Sequence, residues 1–121
     1  MSVIYQVVVE QIGDFAQDAL QDNMLIMFKS GAPADVVDYC FVHSHDDLKQ
    51  PLAVGGELQI NAKRYPITAV GEVASENLAQ LGHITLFFDG ASEAQFPGSI
   101  HLQGDVPNEI SVGSEFVFLN N

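Results

Sequence analysis

The sequence predicts a mainly β protein, a compact barrel-like domain of six to eight short strands with one or two short helices. Three observations lead there. Short runs rich in β-branched and aromatic residues recur along the chain, turn residues separate them, and helix boundary signals are few. Residues 1–121 read as one domain, because a chain of this length buries roughly two thirds of its unfolded surface and can hold its own core.

In order, Val3 to Ile12 places Ile4, Val7, Val8, Val9 and Ile12 in a strand, since branching at Cβ costs side-chain freedom in a helix. Asp14 to Asp22 suits a short helix around Phe15, Ala19 and Leu20. Met24 to Phe28 is an apolar run of strand length, ended by Lys29-Ser30-Gly31. Gly31 to Asp35 forms a loop, with one helical turn through Val36 and Val37 that Pro33 can open. The next strand is Tyr39 to His45.

Pro51 to Gly56 is a turn, Glu57 to Ile60 alternates as a half-buried strand, and Asn61 to Arg64 has a hairpin composition. Tyr65 to Val73 is the returning strand, where Pro66 calls for an edge position or a strand start. Ser75 to Gly82 carries the clearest helix signals: Ser75 as cap, Glu76 at the positive end, and Gly82 to end it. His83 to Asp89, Ser99 to Leu102 and Glu115 to Leu119 complete the strands. Val54 to Ile60 and Val112 to Phe118 share the pattern V-G-x-E-apolar-x-apolar, which a glycine turn feeding an alternating strand produces in any barrel.

Four basic against sixteen acidic residues give 4 − 16 = −12. Such a surface repels nucleic acid and anionic lipid and favours a basic protein surface as partner. The one cysteine cannot form an internal disulfide. There is neither a signal-like N-terminus nor an apolar stretch near the roughly 20 residues that span a bilayer, so the expected location is cytoplasmic, without membrane insertion.

The stretch Tyr39-Cys40-Phe41-Val42-His43-Ser44-His45 holds half of the four histidines beside that cysteine. As a strand it places Tyr39, Phe41, His43 and His45 on one face and Cys40, Val42 and Ser44 on the other. A His-x-His pair has three readings. The imidazoles can converge on zinc, with His83, His101, Asp46 or Glu57 as third ligand; one can be a nucleophile toward phosphorus with the other as helper; or both can be surface residues without a chemical role. Cys40 reads as a small buried hydrophobe. His83 reads as a cap beside a helix end, which favours its charged form, and His101 as a satisfied, half-buried histidine. Lys49 and Arg64 are candidates to neutralise a phosphoryl group, because the chain has so few cations. No glycine-rich phosphate loop, G-x-S-x-G or C-x-x-C occurs.

Ala32-Pro33-Ala34-Asp35 through His45 resembles the glucitol/sorbitol-specific IIA component of the bacterial phosphoenolpyruvate-dependent sugar phosphotransferase system. The resemblance continues through Arg64 to Gly71, Asn77-Leu78, Leu81-Gly82-His83, Phe88-Asp89-Gly90 and Phe96-Pro97-Gly98. It implies a phosphotransferase whose phosphohistidine is His43. The phosphoryl donor is then HPr, and the acceptor a cysteine on the IIB part of the IIB/IIC sorbitol transporter. No metal or organic cofactor is implied. Ser44 stands where some members carry cysteine. Under this reading His45 helps hold the phosphoryl oxygens or the His43 ring, and Lys49 is a further candidate for that task. Tyr39 and Phe41 would offer HPr an apolar patch rimmed by Asp38, Asp46 and Asp47. A zinc-dependent β-barrel enzyme built on the His-x-His pair is the alternative.

Overall fold

Alternation sets the first strand of the computed structural model, which describes Met1–Asn121. In β1 (Ser2–Ile12), Val7 and Val9 are buried while Gln6, Val8 and Glu10 face out. A register shift between Val3 and Tyr5 breaks the period, so Ile4 and Tyr5 are both buried. A 3-10 helix (Gln17–Asp22) leads into β2 (Met24–Lys29), and α1 (Ala34–Val37) into β3 (Phe41–His43). The hairpin β4 (Glu57–Ile60) and β5 (Lys63–Val70) is followed by α2 (Ala74–Leu81), β6 (Ile84–Phe87), β7 (Ser99–Leu102) and β8 (Glu115–Asn120).

The eight strands close into a barrel in the order β1-β3-β2-β6-β7-β5-β4-β8. Two neighbouring pairs, β2–β3 and β6–β7, are parallel. The others are antiparallel. Closure leaves no sheet edge. The interior holds Tyr5, Leu25, Phe41, Leu58, Tyr65, Leu86, Phe116 and Phe118, and α2 adds Ala74 and Leu78 to this core. No helix is long and apolar enough to cross a membrane.

Closure corrects the placement of Pro66, which lies inside β5 on no sheet edge. Its pairing partner on one side is Glu57; on the other it lies beyond the β7 pairing that ends at Ile67 and Leu102, where its carbonyl accepts from the Gln103 N–H. A missing donor is tolerated there because β7 has already ended. Ser75 does not cap α2. Val73 occupies the cap position without a side-chain bond, and the Ser75 hydroxyl accepts from the Leu52 N–H instead. Gly82 ends the helix with φ +59°, as the sequence predicts. The repeated V-G-x-E pattern marks two turns with Gly55 at φ 96° and Gly113 at φ 94°, feeding the adjacent strands β4 and β8.

Candidate functional site

Phe41 and His43 share the inward face of β3, as their spacing requires. Phe41 joins the core, and His43 sits where the strand ends, only 1% exposed. The alternation stops there. His45 adopts φ +61°, a left-handed conformation uncommon in a non-glycine residue, within the irregular segment 44–50. The strand is also shorter than its sequence pattern. Tyr39 lies outside it, 54% exposed, and stacks on Phe15 with ring centroids 5.6 Å apart. The expected apolar patch of Tyr39 and Phe41 therefore does not exist, because one side chain is outside the barrel and the other within it.

Main-chain groups hold both nitrogens of the His43 ring. Nε2 lies 2.8 Å from the Gly82 carbonyl oxygen, and the His45 N–H donates to Nδ1 at 3.1 Å. A carbonyl oxygen only accepts, so Nε2 carries the proton and Nδ1 the lone pair. Burial dominates the electrostatics and pulls the imidazole down to about 4, against a smaller upward pull from the Gly82 carbonyl and a further lowering by His45. The ring is therefore neutral at neutral pH.

Three elements fix this geometry. Lys29, the last residue of β2, pairs with His43 across the parallel ladder. Gly82 arrives from the end of α2; a Cβ there would stand 2.7 Å from Cε1 of His43 and 2.8 Å from Cβ of Lys29. Only glycine allows both the positive φ and this approach. The Lys29 ammonium donates to the carbonyl of Gln80 at 3.1 Å, tying β2 to the same helix end. From β1, the Tyr5 hydroxyl lies 2.6 Å from Nδ1 of His45, and the Tyr5 ring packs edge-on against both His43 and His45. Burial raises the Tyr5 phenol far above its ordinary range, so it stays a neutral hydroxyl and donates to the His45 ring.

Asp46 organises the segment beyond. Its carboxylate accepts from the main-chain N–H groups of Gln6 and Asp47 and meets Lys49 at 3.4 Å. Desolvation works to raise its pKa, but these hydrogen bonds and the Lys49 charge hold it below the usual carboxylate value. Lys49 also donates to the Asp47 carbonyl, and has no hydrogen bond to either histidine.

The other sequence candidates lie elsewhere. Arg64 pairs with Glu57 at 3.1 Å on β5, four places round the barrel from β3 and so across from His43. His101 is buried and satisfied, with Nδ1 2.7 Å from Asp89 and Nε2 accepting from the Gln95 N–H. His83 stacks on Phe28, and burial lowers its pKa, contrary to the charged cap that its helix-end position suggested. Cys40 is buried, its thiol pushed up to about 11 by desolvation. No three His, Cys, Asp or Glu side chains come together as a metal-binding set. The His-x-His pair does not converge either: His43 turns to Gly82 and His45 to Tyr5.

Sequence reasoning missed Tyr5, Lys29 and Gly82 as neighbours of His43. Lys29 had a readable signal, as one of four cations at the end of an apolar run. Tyr5 and Gly82 had none, because register and helix docking bring them in from distant parts of the chain.

The family profile for the PTS system glucitol/sorbitol-specific IIA component matches residues 4–117. The chain is 52% identical over 118 residues to the PTS system glucitol/sorbitol-specific EIIA component of Escherichia coli (strain K12), covering 98% of this chain and 96% of that one. The same identity and coverage hold for the component of that name from Shigella flexneri. Among solved structures, the crystal structure of a PTS system IIA component from Enterococcus faecalis V583 matches with a TM-score of 0.81 and 27% identity, over 95% of this chain and 99% of that one.

Proposed function

Because the chain belongs to the family of glucitol/sorbitol-specific IIA components of the phosphotransferase system, we propose that His43 accepts a phosphoryl group from phospho-HPr and passes it to the IIB cysteine of a glucitol/sorbitol transporter. A phosphocarrier role within that system follows from the family itself. The observation that carries the assignment to His43 is its neutral imidazole, fixed by main-chain groups at the end of β3. A neutral ring offers a lone pair to phosphorus at neutral pH, whereas an imidazolium offers none. Its fixed orientation supplies the alignment that phosphoryl transfer needs.

The surroundings suit a carrier that docks another protein. None of the three surface depressions has His43 or His45 in its lining. The net charge of −12 favours a basic docking face on the donor. His45 supports the His43 ring through its N–H, and Lys49, whose exposed side chain pairs with Asp46, is a candidate for the phosphoryl oxygens. This reading puts the protein in the cytoplasm, where donor and acceptor meet.

Incubation with phosphoenolpyruvate, enzyme I and HPr tests it. Acid-labile, alkali-stable phosphate is expected on the protein and is lost in His43→Gln. Label that survives this substitution would move the site to His45, His83 or His101.

A further inference from the structure

We propose that the stacked rings of Phe15 and Tyr39, together with Asp18 and Asp22, form a second docking site, which takes an arginine-bearing segment of a protein partner. The site lies away from His43 and does not depend on His43 being the phosphocarrier residue.

Main-chain bonds build its platform. The Gly13 N–H donates to the Cys40 carbonyl at 3.0 Å, and the Phe15 N–H to the Asp38 carbonyl at 2.8 Å. These bonds continue the β1–β3 pairing past Ile12 and Phe41, at the opposite end of β3 from His43. A Cβ on Gly13 would run into the main chain of Val37 and Asp38, so glycine lets the two segments lie this close. The backbone thus fixes the region without help from the two rings. Both rings nevertheless stay in water, Phe15 49% and Tyr39 54% exposed, stacked on each other. One open depression is lined by Phe15, Asp18, Ala19, Asp22 and Tyr39. Neither carboxylate forms an ion pair with a cation of the chain, and no lysine or arginine precedes Lys29 in the sequence.

Exposed aromatic faces beside uncompensated negative charge call for a cation that is flat and weakly hydrated. A guanidinium group has that form, since it stacks on a ring while its N–H edge reaches carboxylates. Lysine brings only a compact, strongly hydrated charge. A second copy of this chain fits poorly, because it brings a net charge of −12 and a single arginine, Arg64, already held by Glu57. Nucleic acid and anionic lipid would bring phosphate to an acidic surface. A protein segment carrying arginine remains, and seated at this end of β3 it leaves His43 uncovered.

Amide chemical shifts of the nitrogen-15-labelled protein, titrated with a short blocked peptide alternating arginine with leucine, test this. Saturable shifts are expected at Phe15, Asp18, Ala19, Asp22 and Tyr39, the residues that line the depression. The lysine counterpart of the peptide should bind roughly fivefold less tightly. Tyr39→Ser, and separately Asp18→Asn with Asp22→Asn, should each weaken the arginine peptide roughly tenfold, with spectra that show the fold intact. Shifts scattered over the acidic surface, saturation at other residues, equal affinity for the lysine peptide, or parent-like binding by both variants overturns the proposal. Phosphorylation of Tyr39→Ser by HPr should proceed at the parent rate. A slower reaction would place these rings in the interface with HPr and overturn the claim of a second site.

Discussion

His43 Nε2 and the Gly82 carbonyl oxygen lie 2.8 Å apart, joining the end of β3 to the end of α2 across 39 residues of sequence. The contact fixes the tautomer of the ring, and the left-handed φ of Gly82 aims the carbonyl.

Gly82→Ala should therefore damage fold and transfer together. The methyl group would stand 2.7 Å from the His43 ring in a backbone region that L-residues avoid. A cost of about 1–2 kcal/mol from the left-handed conformation alone is expected, with the clash adding to it. Urea unfolding should show the loss, and phosphorylation by HPr should slow by roughly tenfold, the equivalent of 1.4 kcal/mol in the barrier. Normal transfer in a destabilised variant would show that the carbonyl does not position the ring.

Tyr5→Phe removes a single hydroxyl, the one that holds the His45 ring at 2.6 Å. The substitution leaves His45 Nδ1 without that donor and should cost about 1 kcal/mol in urea unfolding. Phosphorylation should slow several-fold, because the peptide that supports His43 belongs to His45. Unchanged stability and unchanged transfer would remove Tyr5 from the site.

The inward pairing of Phe41 with His43 was legible in the sequence because a strand repeats every two residues. The left-handed turn at His45 was not, since histidine carries no marker for positive φ such as glycine provides. Gly82 could be read as a helix end but not as a partner of His43. Its approach depends on how α2 docks, and docking is decided by Ala74 and Leu78 meeting core residues from the whole barrel. Pro66 misled in the opposite direction. It signals a missing donor, which closure accommodates where β7 ends, so the residue seen alone suggested an edge. Cys40 was placed correctly as buried, although the strand proper begins only at Phe41.

Lys29 and Lys49 flank the site from different elements and should separate on substitution. Lys29 extends from the residue paired with His43, and its ammonium rests on the Gln80 carbonyl. Lys49 is held by Asp46 and the Asp47 carbonyl. Lys29→Gln should slow phosphorylation by roughly tenfold, about 1.4 kcal/mol in the barrier. Lys49→Gln should have the smaller effect, and both proteins should stay within about 1 kcal/mol of the parent in unfolding, as the exposed ion pair of Lys49 and the exposed hydrogen bond of Lys29 are each weak. A larger effect at Lys49 would assign phosphoryl neutralisation to the segment 44–50.

Cys40 tests the packing behind β3. The side chain is 1% exposed and its thiol is pushed up to about 11, so little thiolate exists at neutral pH. A disulfide reagent should react slowly with the folded protein and rapidly in denaturant. Rapid labelling of the folded state would contradict the buried position.

Acid titration tests the burial of His43, and its sign follows from protons bound in each state. The ring titrates near 4 when folded, against an ordinary value of 6.5. Between those values the unfolded chain binds more protons, so stability is full above about pH 6.5 and falls as pH drops toward 4. The interval corresponds to about 3 kcal/mol. His83, also lowered by burial, acts in the same direction, whereas Asp46 and Asp89, held below their ordinary value, contribute their losses at lower pH. Comparison with His43→Gln isolates the one group, because the glutamine does not titrate. Urea unfolding from pH 7 to 4.5 should show a shallower loss in the variant, by up to one proton in slope. Parallel curves would mean that His43 keeps its ordinary pKa, and the desolvation of its ring by burial would then have to be abandoned.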